Sequence, residues 1–151
     1  MGEIKFGATM TYENFIKAKL VQFAVNEAFR YGGFYVMCAV AQVLANRVKA
    51  GWGEWNTVID TAGDYRGTIL DPPQVDVRDP MFRRMLTMVD DIYSGTADDT
   101  NVNIEDDRGK LLALYYADLN TLNREWFREN VLRERMEHPR LATVGPLTFF
   151  G

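Results

Sequence analysis

The first clear pattern of apolar and polar positions predicts a helix over residues 11–30. Apolar side chains at Ile16, Leu20 and Phe23 recur at intervals of four and three residues, so they form one stripe along a helix. Glu27 follows Phe23 by four residues and falls in the same stripe. The pattern therefore predicts a carboxyl group on the face that this helix should bury.

The next segment, residues 34–48, is apolar on nearly all sides and is interrupted by Gln42 and Asn46. A helix without a polar face belongs at the centre of a domain. We therefore expect the most buried element of the fold here. Three of its branched side chains should be inaccessible to water: Val40, Val43 and Leu44.

The remaining patterns predict a mainly helical domain with little strand. Asp79-Pro80 is a good helix start, and a methionine-rich stripe follows it as far as Ser94-Gly95. Residues 96–107 are polar and acidic, which is typical of a loop, and residues 119–137 favour helical turns. Residues 110–117 could form a short helix or a strand. The apolar segment 141–150 should pack back on the core, partly extended.

Composition narrows the chemistry that this chain can perform. The 151 residues carry a formal charge of −4, which gives no electrostatic case for binding nucleic acid or an anionic membrane. The single cysteine, Cys38, and the single histidine, His138, make an internal disulfide impossible and a zinc site implausible. We expect no metal and no cofactor, so any chemistry must come from carboxylates, amides and hydroxyls. The start of the chain lacks the pattern of a signal peptide.

Glu27 is the strongest candidate for chemistry. Burial disfavours the charged form of a carboxyl group, and an acid that keeps its proton suits the cleavage of a glycosidic bond. The alternative is a structural glutamate paired with an arginine such as Arg30, Arg47 or Arg66.

Several stretches resemble one enzyme family in their order and spacing. They are Asn26-Glu27-Ala28, residues 39–48 with the ending Asn46-Arg47-Val48, Trp55–Ile59, Ala113–Tyr116, Trp126 and residues 144–150. Together they are similar to the cell-wall hydrolases that include the spore-cortex lytic enzymes. The resemblance implies a lysozyme-like single domain over residues 23–151, preceded by an arm or the start of a supporting helix over residues 1–22.

The resemblance also implies an activity, the cleavage of the β-1,4 bond of peptidoglycan by a lytic transglycosylase or a muramidase. Glu27 would be the catalytic acid. A muramidase needs a second carboxylate, for which Asp60 and Asp64 are the nearest candidates. Substrate-binding roles fall on four side chains, each with a structural role as its alternative: Tyr115, Tyr116, Gln42 and Asn46.

One departure from the family opens a second hypothesis. Leu147 stands where the family usually carries histidine. A wall hydrolase without a signal peptide suits a bacteriophage product that is made in the host cytoplasm, is carried in the virion and acts in the cell wall. Its partners would be glycan strands, and other virion proteins or a second copy. The rival is a structural tail or adaptor protein on a degenerate hydrolase fold.

Overall fold

The computed structural model describes residues 11–31, 33–62, 78–97, 100, 102–106, 109–134 and 137–151. For residues 27–31, 104–106 and 109–110 it describes the backbone alone. Three helices pack against one another in pairs: α1 (Tyr12–Tyr31), α2 (Phe34–Lys49) and α4 (Pro80–Ser94). The short α3 (Trp55–Asp60) contacts α1 and α2, so the expectation of a mainly helical fold is confirmed.

Helix α2 is the centre of the core, as its sequence predicts. Val40, Val43 and Leu44 are inaccessible to water, and every residue from Val36 to Asn46 is buried. The helix begins directly after Gly33, whose φ of 110° is a conformation that glycine adopts without strain. The turn at Gly33 allows α1 and α2 to pack as a hairpin.

Helix α4 has the ends that its sequence predicts. The Asp79 carboxylate accepts a hydrogen bond from the Met81 amide at 2.8 Å, Pro80 occupies the first turn, and Gly95 closes the helix at a φ of 81°. The helix turns one stripe of apolar residues into the core: Met85, Leu86, Val89 and Ile92.

The strands form two small antiparallel sheets. The first is a hairpin of β1 (Ile104–Asp106) and β2 (Gly109–Leu111). The second has the order β3-β5-β4, built from β3 (Tyr115–Ala117), β4 (Arg140–Val144) and β5 (Leu147–Phe150). Helix α2 contacts β3 and β4, and Leu147 and Phe149 are buried. The predicted return of the apolar C-terminal segment onto the core is thus confirmed.

Helical turns connect β3 to β4. They are α5 (Leu119–Leu122), α6 (Glu125–Phe127) and a π-helical turn, Arg128–Leu132. Phe127 and Val131 from these turns pack with Phe150 in a second, smaller apolar cluster. Among the described residues, the helices lack the combination of length and apolarity that crossing a bilayer requires.

The expectation of a loop over residues 96–107 is partly wrong. Thr100 and Val102 are buried, and β1 begins at Ile104. The burial of this segment could not be seen in its polar composition, because the segment is held by buried hydrogen bonds of Asn103 rather than by an apolar stripe. Residues 1–10 of the predicted arm, and residues 63–77, lie outside the described part of the chain, and the predicted boundary after residue 22 falls inside α1.

Candidate functional site

Glu27 belongs to the last third of α1, four residues before that helix ends at Tyr31. The three apolar members of its predicted stripe, Ile16, Leu20 and Phe23, are all fully buried. The stripe itself is therefore confirmed. The side chain of Glu27 lies outside the described part of the structure, so its burial and its catalytic role stay predictions.

Gln42 and Asn46 are buried and form a polar cluster with Asn103. Gln42 Nε2 donates to Asn46 Oδ1 at 3.0 Å, and Asn46 Nδ2 donates to Asn103 Oδ1 at 2.7 Å and to the Ala113 carbonyl oxygen at 2.8 Å. Asn103 Nδ2 also approaches Asn46 Oδ1 at 3.5 Å. The Asn46 amide thus uses both its donors and its acceptor inside the protein, an arrangement that fits the structural alternative for this residue.

Arg47, the next residue of α2, lies against two aromatic rings that also contact each other. Its Nε donates to the Leu114 carbonyl oxygen at 2.8 Å. The guanidinium carbon lies 4.9 Å from the ring centre of Trp52 and 6.0 Å from that of Tyr115. Burial lowers the pKa of Arg47 from its usual value, although Tyr116 and Tyr115 act in the opposite direction.

The rings around Arg47 continue along the surface. Trp52 meets Tyr115 edge to face with 5.4 Å between ring centres, and Tyr115 meets His138 in the same way at 4.9 Å. Trp52 remains 45% exposed. His138 Nδ1 donates to the Gly151 carbonyl oxygen at 2.8 Å. We call Trp52, Tyr115 and His138 the aromatic surface, and such rings suit stacking on the apolar face of a sugar.

His138 also borders an open depression beside the aromatic surface. The depression has a volume of about 390 Å³. It is lined by Leu132, His138, Pro139, Arg140 and Phe150. Tyr116, by contrast, is turned toward the core and packs on Phe149 with 6.0 Å between ring centres.

The predicted site residues lie at different heights of the α1–α2 hairpin. Glu27 is about 6 Å from the end of α1, and Asn46 is about 18 Å from the start of α2, at a rise of 1.5 Å per residue. Their backbones therefore lie about 12 Å apart along the hairpin. Arg47 is one residue further along, at the end of α2 remote from Glu27.

Asp60, a candidate second carboxylate, is held by a lysine. Lys19 is 6% exposed, and its Nζ contacts Asp60 Oδ1 at 2.5 Å and Asn56 Oδ1 at 2.6 Å. Lys19 precedes Glu27 on α1 by eight residues, or about 12 Å. Asp64, the other candidate, lies outside the described residues.

Comparison with known proteins adds no relative. No protein-family model, no curated protein and no solved structure matches the chain. The residues and their geometry therefore carry the functional argument.

Sequence reasoning missed four members of this region. Trp52 follows the glycine-rich end of α2, and Arg47, Asn103 and His138 are separated from their partners by long stretches of chain. The exposed tryptophan between two glycines, Gly51 and Gly53, was the one local signal available. Within the described ranges, no group of three or more acidic, histidine or cysteine side chains could hold a metal ion.

Proposed function

We propose that this chain binds and cleaves the glycan strands of peptidoglycan, with Glu27 as the catalytic acid. The observation that carries the proposal is the packing of α1, which contains Glu27, along α2, which leads into the exposed aromatic surface. A polymer can engage both places at once, because the aromatic surface lies just beyond Asn46, which is about 12 Å from Glu27 along the hairpin.

A lytic transglycosylase mechanism fits the carboxylates best. Glu27 would donate its proton to the oxygen of the β-1,4 bond while the bond between that oxygen and C1 of muramic acid breaks. The resulting carboxylate would then take the proton of the C6 hydroxyl, whose oxygen closes on C1 to give a 1,6-anhydro sugar. This route needs one carboxylate. It is favoured because Asp60, the described candidate for a second carboxylate, is paired with Lys19.

The test is the Glu27→Gln variant assayed on purified peptidoglycan. Glutamine has nearly the same size but cannot donate the proton, so we expect cleavage to be abolished and folding to be retained. Glu13→Gln is the matched control, because it makes the same change on the exposed face of the same helix. Mass spectrometry of the fragments should find anhydro ends.

Fragments with reducing ends would favour the muramidase mechanism instead. Cleavage retained in Glu27→Gln would assign the acid to another residue. A wild-type protein that is inactive on several peptidoglycan types would refute the proposal.

Two observations favour the second candidate, a structural bacteriophage tail or adaptor protein. Leu147, at the position of the family histidine, is fully buried in β5. Leu119 and Trp126 are 73% and 62% exposed, which suits a surface that a partner covers. Mass spectrometry of purified virions, with Leu119→Ser and Trp126→Ser as interface variants, would test this role separately from cleavage.

A further inference from the structure

Arg47 is a partly buried cation that has no counter-charge among the described residues. Its bond to the Leu114 carbonyl is the one hydrogen bond that it makes within the described part of the chain. Lys17 and Lys19 are paired with carboxylates, whereas Arg47 has no ion pair with a described residue. A guanidinium that has lost water without gaining an anion is stabilised most by a ligand that brings one.

The terminal nitrogens of Arg47 are not completely buried. No buried side-chain nitrogen or oxygen of the described residues lacks a hydrogen-bond partner. The two terminal nitrogens of Arg47 have no such partner among the described residues, so each keeps at least some contact with solvent. Because Nε is occupied, the outer edge of the guanidinium is left as a planar pair of donors, which matches the two oxygens of a carboxylate.

The neighbours of that edge suit a sugar ring. Trp52 and Tyr115 flank the guanidinium, and Trp52 is exposed. A sugar that contacts the exposed part of Trp52 lies next to the guanidinium, whose carbon is 4.9 Å from the ring centre. The two contacts together select a ligand that is both a sugar and an anion.

We propose that Arg47 binds the carboxylate of an acidic sugar whose ring contacts Trp52. The proposed function identifies that sugar as muramic acid, and the inference rests on it for this identity. The carboxylate is then the lactyl group of a muramic acid from which the peptide has been removed. The chain should therefore prefer glycan strands stripped of peptide.

The test compares three ligands on the full-length chain carrying Glu27→Gln, which prevents turnover during titration. They are the peptide-free tetrasaccharide of alternating N-acetylglucosamine and N-acetylmuramic acid, its methyl ester, and chitotetraose. Isothermal titration calorimetry should give at least about tenfold tighter binding of the free acid than of the ester. The preference should shrink as salt is raised, because a partly exposed ion pair is screened.

A second pair of variants assigns the preference to one side chain. Arg47→Met keeps a long apolar stem and removes the donors, so the acid and the ester should bind equally. Arg84→Met is the matched control, because Arg84, on α4, also places its guanidinium over an aromatic ring. The guanidinium carbon lies 4.0 Å from the ring centre of Phe34. In Arg84→Met, the preference for the acid over the ester should be unchanged. If Arg47→Met does not fold, the comparison of acid with ester on the parent protein still tests whether the carboxylate is recognised.

The outcomes separate this inference from the proposed function. Equal binding of acid, ester and chitotetraose would overturn the inference and leave glycan binding intact. A preference that persists in Arg47→Met would overturn the assignment to Arg47. If none of the three ligands binds, both proposals are overturned. If the acid is clearly preferred but the wild type does not cleave peptidoglycan, the inference is supported and the catalytic proposal is overturned.

Discussion

Replacing Asn46 by alanine should destabilise the fold strongly, although the residue is polar. Asn46 is fully buried, and its amide joins Gln42 to Asn103 and to the Ala113 carbonyl. Its removal leaves the Gln42 amide and the Ala113 carbonyl buried without partners. Each orphaned group costs about 1–3 kcal/mol. We expect a loss of about 2–5 kcal/mol in the free energy of unfolding, part of it recovered if water enters.

The measurement is urea unfolding at 25 °C, followed by far-UV circular dichroism and tryptophan fluorescence. Asn130→Ala is the matched control, because it makes the same change at an exposed asparagine whose side chain donates a single hydrogen bond, to the Trp126 carbonyl. It should change stability by less than about 0.5 kcal/mol. If the two variants lost the same small amount, the cluster would not be what holds α2 to the segments around Asn103 and Ala113.

Three further predictions follow from the packing and the charges. Leu44→Ala should cost about 2–5 kcal/mol in urea unfolding through lost burial and a residual cavity, and a loss near zero would contradict the central position of α2. Gly95→Ala should cost about 1 kcal/mol because of the positive φ, since an added Cβ would meet only Lys49 at ordinary contact distance; an unchanged thermal midpoint would refute this. Burial acts to lower the pKa of Lys17, but its bonds to Asp90 and Glu13 outweigh this and raise the pKa above 10.5. The stabilisation is therefore complete below 10.5 and lost as pH rises through the higher folded value, so Lys17→Met should flatten that alkaline loss of stability, and parallel pH curves would refute it.

The helices were predictable because their signals are local. The apolar run of α2 and the Asp79, Pro80 and Gly95 signals of α4 lie within one or two turns of the structure that they specify. The burial of Lys19 was not predictable, because the partner that makes it tolerable, Asp60, is 41 residues away. The same holds for Thr100 and Val102, whose polar surroundings suggested a loop.

The candidate site shows a similar division. The sequence pointed to Asn46 and Tyr115 through the resemblance, and to Glu27 through helical spacing. The aromatic surface was missed because it joins the end of α2 to β3 and to His138, with no periodic pattern linking them. Contacts of this kind depend on the tertiary fold, which a pattern of local spacing does not contain.

The last turns of α2 carry two consecutive polar residues, Asn46 and Arg47, that have different roles. Asn46 and Arg47 are consecutive, and their side chains leave the helix about 100° apart, yet they bond to the consecutive carbonyls of Ala113 and Leu114. Two bonds from different directions fix that segment, and with it Tyr115. Asn46 uses both donors and the acceptor of its amide inside the protein, so its role is structural. The two terminal nitrogens of Arg47 have no hydrogen-bond partner among the described residues, so Arg47 is the member of the pair that the proposed ligand can contact.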